Sequence, residues 1–75
     1  MMDIENIFCE IMELDKVPND FNDLSIGDIE KWDSLSNMLF LMALEKSFEI
    51  RFTFDEMSEL TSIKAIKKRL NNLMS

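Results

Sequence analysis

From Ile4 onward, apolar residues return at steps of three and four: Ile4, Ile7, Phe8, Ile11 and Leu14. That spacing lays one apolar stripe along a helix. It predicts a first helix from Ile4 to Asp15, with Asp3 as its N-cap. Glu5, Glu10 and Glu13 take the wet side. Pro18 prevents the helix from continuing through it.

The pattern then loses its period. Asn19, Asp20, Asn22, Asp23, Ser25 and Gly27 are turn formers, and Val17, Phe21, Leu24, Ile26, Ile29 and Trp32 stand among them as apolar anchors. The reading is a long but tied-down loop over 16–33, with a short helical turn near Ser25–Glu30. Asp20, Asn22 and Asp23 do not have the spacing of a calcium loop and serve as turn chemistry.

Helical spacing resumes at Ser34 and predicts a second helix to Glu49. At about 100° per residue, Phe40, Leu41, Leu44 and Phe48 share one side. Leu35, Met38, Leu39 and Met42 share the other, which Glu45, Lys46 and Glu49 continue. A small protein cannot bury both. The side that runs on into charges is expected to face water as an apolar strip, the alternative being that it packs under the long loop. Exposed apolar patches generally mark contact surfaces, and methionines suit a surface that fits several partners.

Ile50-Arg51-Phe52-Thr53-Phe54 alternates as a strand would, but no second strand is at hand to pair with it. It is read as an extended connector, with Ile50 and Phe52, and Phe54 as a third candidate, plugging the core. Residues 55–60 read as a short third helix with Asp55 and Glu56 in its first turn. Thr61 or Ser62 caps a fourth, whose buried stripe is Ile63, Ile66, Leu70 and Leu73. The fold class is therefore all-α: a small four-helix bundle with a long loop between helices one and two and a short third helix.

Composition narrows the chemistry. The 75 residues suffice for one domain, 1–75, with one small core. With no histidine, the commonest general base and zinc ligand are missing. Cys9 is the one cysteine, read as a half-buried helix residue that suits a reducing cytoplasm. Acids at 3, 5, 10 and 13 interrupt any signal peptide. The longest apolar run, 38–44, falls far short of the roughly twenty residues of a membrane span. The net charge of −7 disfavours nucleic acid and favours basic protein partners. Charge is also uneven: residues 1–60 carry −11 and residues 61–75 carry +4. A basic last helix is thus expected to be drawn to an acidic body, through pairs that are individually weak when exposed.

The candidate chemistry sits at Trp32-Asp33-Ser34-Leu35, where the loop runs into the second helix. A helix start has unpaired N–H groups and the positive end of the helix dipole. Ser34 there can cap the helix, or it can carry a phosphate that the helix end favours. With no histidine to activate it, serine hydrolysis is excluded, and no base, metal set or cleft makes the chain an enzyme.

Asp33-Ser34-Leu35 at a helix start, followed by Met42-Ala43-Leu44-Glu45-Lys46-Ser47-Phe48, about halfway along a short acidic helical chain, resembles the acyl carrier protein family from Ile4 to Leu73. Trp-Asp-Ser-Leu with Ser36 next resembles a subgroup of free-standing carriers, although Gly or Asp is more usual at that place. The resemblance implies a phosphopantetheine arm esterified to Ser34, with Asp33 and Leu35 beside it. The arm's thiol would hold acyl groups as thioesters for fatty-acid-like, polyketide-like or other dedicated biosynthesis. It implies as partners a phosphopantetheinyl transferase, an acyl-loading ligase or acyltransferase, and ketosynthase-type or other acyl-using enzymes; oligomeric state is open, a monomer being the simpler expectation.

The surface implied for those partners is Leu35, Met38, Leu39, Met42, Glu45, Glu49, Asp55 and Glu56, with Glu59 as a further acid. Leu39 stands where an acid is frequent and Lys46 interrupts an acidic stretch, which points to a dedicated pathway with a more apolar docking surface. Phe52, Met57, Leu60, Ile66 and Leu70 match the region where carriers shelter acyl chains. Met57 and Ile66 are bulkier than the usual residues there, so weak sheltering of long chains is expected, with simple core packing as the alternative. An aminoacyl or peptidyl carrier, and a cofactor-free interaction module, are the competing readings.

Overall fold

The computed structural model describes residues 3–74, which form four α-helices: α1 (Ile4–Met12), α2 (Ser34–Phe48), α3 (Phe54–Glu59) and α4 (Ile63–Met74). Among the described residues there is no strand, only an isolated antiparallel bridge between Ser25 and Ser62. The chain is all-α, with the long α1–α2 loop and the short α3 that the hydrophobic pattern predicts.

The helix ends follow from local hydrogen bonding. Asp3 opens α1 by accepting from the Asn6 amide at 2.9 Å. The helix stops at Met12, short of the expected Asp15, because Glu13 turns left-handed (φ 57°) and its amide folds back on the Cys9 and Glu10 carbonyls. The turn is complete before Pro18 can act. α2 stops the same way at Glu49 (φ 56°). α3 begins one residue earlier than expected, on a capping box: the Thr53 hydroxyl accepts from the Glu56 amide, and the Glu56 carboxylate accepts from the Thr53 amide. Ser62 caps α4 by accepting from the Ala65 amide at 3.2 Å.

The core is built on Phe8 of α1. Its ring meets Phe21 and Trp32 of the loop and Phe40 of α2 edge-on, with centroids 5.2, 5.1 and 5.2 Å away. Edge-to-face pairs of this kind contribute about 0.5–1.5 kcal/mol each beyond their buried area. The predicted stripes are largely buried: Ile4, Ile7 and Phe8 of α1, Phe40, Leu41 and Leu44 of α2, and Ile63, Ile66 and Leu70 of α4. Met12 joins them, although the α1 period did not single it out. Phe52 plugs the core, but Phe54 does not. As the first residue of α3 it is 79 % exposed.

The long loop is anchored as expected by Phe21, Leu24 and Trp32, all buried, while Val17 stays exposed. Its helical turn is a single 3₁₀ turn at Phe21–Asp23, not near Ser25–Glu30. The latter stretch is instead a hydrogen-bonded turn. Asp28 accepts from the Ser25 amide at 2.8 Å, and Gly27, at φ 94°, donates to the Trp32 carbonyl at 3.0 Å. Backbone bonds from Ile26 to Thr61 (2.7 Å) and from Ile63 to Leu24 (3.0 Å) tie the loop to the start of α4.

The basic last helix pairs with the acidic body. Lys64 meets Asp23 at 3.2 Å, Lys67 meets Glu5 at 3.4 Å, and Arg69 pairs with Glu56. Lys67 also stands over the Phe21 ring, 5.3 Å from its centroid.

Candidate functional site

The N-terminus of α2 separates the two roles open to its serine. Asp33 is the cap: its backbone is extended and its carboxylate accepts from the Ser36 amide at 2.8 Å. That hydrogen bond holds the Asp33 carboxyl below the usual carboxylate range. Ser34 is the first helical residue and is exposed. Its hydroxyl takes no hydrogen bond among the described residues. The cap is thus filled by the residue before it, and the serine oxygen is left free at the positive end of a 15-residue helix.

Trp32 fixes the approach to this end. Its ring is fully buried, and its Nε1 donates to the Asn37 Oδ1 at 3.0 Å. Asn37 is a buried polar residue on the face of α2 that carries Phe40, Leu41 and Leu44. Its Nδ2 donates in turn to the Leu60 carbonyl at 3.0 Å, just past the end of α3. The sequence reading did not single out Asn37. Its signal was an amide at the head of an apolar stripe, five residues after the only tryptophan.

A groove of about 280 Å³ opens beside Ser34, between the start of α2 and the back of α3. Ile26, Met38 and Met57 give it apolar walls; Ser34, Asn37, Ser58 and Thr61 give it polar ones. Of the residues proposed to shelter a chain, Met57 lines this groove. Phe52, Leu60, Ile66 and Leu70 belong to the core instead, because the bundle needs them there.

The residues nominated as a partner surface divide. Leu35 is 71 % exposed, Met42 53 % and Leu39 48 %, so three apolar side chains of α2 stand in water beside Ser34. Met38 is half-buried against the groove. Glu49 and Asp55 are exposed. Glu45 is half-buried, and its carboxylate accepts from the Phe52 amide at 2.8 Å, which holds the α2–α3 connector. Glu56 is held by the Thr53 amide and hydroxyl and by Arg69, and these draw its carboxyl below the usual range. Both acids have structural work inside the fold.

Among the described residues, no group of three or more Cys, Asp or Glu side chains comes together in a way that could hold a metal ion, and no helix is long and apolar enough to cross a membrane. Burial, with Asp3 and Glu5 nearby, pushes the Cys9 thiol up and makes it a poor nucleophile. No family model matches the chain, and no curated protein matches it.

Proposed function

We propose that the chain is a carrier, similar to acyl carrier proteins, that holds acyl intermediates as thioesters on a phosphopantetheine arm attached to Ser34. One observation carries the reading: an exposed serine hydroxyl, free of hydrogen bonds, at the first position of α2, with its capping duty taken by Asp33. A helix end of this kind favours a phosphodiester. The adjoining groove, apolar on one side and polar on the other, has room for part of an amide-bearing arm.

Attachment requires a separate transferase and coenzyme A. The Ser34 oxygen bonds to phosphorus, the pyrophosphate linkage breaks, and the nucleotide half leaves. The hydroxyl proton passes to a base in the transferase's site. Once bound, the arm supplies a thiol that forms thioesters. The chain's own part is to present that thiol to successive enzymes at high local concentration. Leu35, Leu39 and Met42 offer those enzymes an apolar surface next to the attachment point, with Glu49 and Asp55 at hand for basic side chains. Met57 narrows the groove, which fits short cargo better than long chains.

Co-expression with a phosphopantetheinyl transferase tests this. The intact mass is expected to rise by one phosphopantetheine group, and Ser34→Ala to abolish the rise. An unchanged wild-type mass with several transferases overturns the reading. The exposed strip on α2 also favours a second reading, an interaction module without a cofactor. That module keeps its binding partner after Ser34→Ala, and a carrier loses its load.

A further inference from the structure

The helix α3 contributes no buried side chain to the core. Its place beside Ser34 depends on Met57, which packs half-buried against the core, on Leu60 buried just past its end, on hydrogen bonds at its two ends and on Arg69. At the front, Glu45 holds the Phe52 amide and Thr53 forms its box with Glu56. At the back, the attachment from α2 is the Asn37 amide on the Leu60 carbonyl. The oxygen of the same amide accepts a hydrogen bond from the Trp32 Nε1–H, and Trp32 is the residue before the Asp33 cap. Trp32 and Asn37 occupy the positions where an apolar pair often staples the start of a helix. Here the staple is a hydrogen bond that continues to the C-cap of α3.

We propose that Asn37 is a positioning residue for Ser34: one side-chain amide sets both the lead-in to α2 and the back of α3, and so fixes the groove wall of Met57 and Ser58 relative to the serine oxygen, while the Ile26 amide on the Thr61 carbonyl holds the rest of that wall. The proposal rests on the carrier reading of Ser34. A buried amide must satisfy both its donor and its acceptor, and Asn37 does so by joining two elements. Asn37→Asp keeps the oxygen that serves Trp32 but replaces the donor that serves Leu60 with a second acceptor, which repels the carbonyl. Docking on Leu35, Leu39 and Met42 does not involve Asn37 and is left intact.

The test is the steady-state kinetics of arm transfer from coenzyme A by a phosphopantetheinyl transferase, with amide exchange measured on the same proteins before modification. In Asn37→Asp, kcat is expected to fall at least fivefold while KM for the carrier stays within twofold. Exchange at Leu60 and Thr61 is expected to rise at least tenfold, with the α1–α2 core unchanged. Trp32→Phe cuts the other arm while leaving Asn37 in place. It is expected to lower kcat in the same sense, and it carries the test if Asn37→Asp does not fold. A folded Asn37→Asp protein modified at the wild-type kcat overturns the proposal and leaves the carrier reading standing. A wild-type protein that takes no arm overturns both.

Discussion

Asp33 divides labour with its neighbour at the start of α2. It spends its carboxylate on the Ser36 amide, which leaves the Ser34 hydroxyl free of a structural duty. A cap that works as an anion is sensitive to acid. The Asp33 carboxyl titrates below its ordinary value of about 3.9 when folded, so its stabilising effect is complete above that pH. The effect is lost as pH falls through the lowered folded value. Asn caps as well as Asp without titrating in this range. Asp33→Asn is therefore expected to match the wild type in urea unfolding at pH 7 and to lose less stability between pH 5 and pH 2.5. A parallel decline in both proteins would show that the acid sensitivity comes from elsewhere. Which of Asp33 and Ser34 caps α2 was open in the sequence. Adjacent Asp and Ser are both good caps, and only the backbone at Asp33, extended with ψ −172°, shows which of them stands outside the helix.

At the scale of elements, periodicity reveals helices that bury a stripe and says little about where they stop. α1, α2 and α4 were legible because their apolar residues recur at three and four. The early end of α1 was not, since it depends on a glutamate adopting a left-handed backbone, a conformation that composition does not announce. α3 lies at the other extreme: six residues, none buried, held by a capping box, by the Glu45 carboxylate and by Arg69. Such an element opens locally at little cost. Thr53→Ala removes the hydroxyl half of the box and is expected to destabilise the protein by about 0.5–2 kcal/mol in urea unfolding. Exchange of the α3 amides should accelerate well beyond that of α2. Uniform acceleration across all four helices would mean that α3 unfolds only with the whole protein.

The whole molecule has a radius of gyration of 11.3 Å, close to the roughly 11 Å of a compact chain of this length. Its charge balance reads well from the sequence. Among the described residues, the excess of base after residue 60 becomes three ion pairs between α4 and the rest. Lys64 and Asp23 are 76 % and 71 % exposed, so their pair is worth little. Self-repulsion from the net −7 works against the folded state. Raising sodium chloride from 10 to 200 mM is expected to increase the urea midpoint by screening that repulsion. A fall in the midpoint would mean that the ion pairs outweigh it. The groove beside Ser34 was only partly legible. Met57 was nominated and Ser58 and Thr61 follow it closely in the chain, but Ile26 comes to the groove from the long loop, which local patterns do not connect to it.

The sole tryptophan lies in the dry interior, one residue ahead of the α2 cap. The protein therefore carries its own optical gauge. Ultraviolet emission from that indole comes from the threshold of α2 and from nowhere else, so events at Ser34 can be followed in real time without a dye.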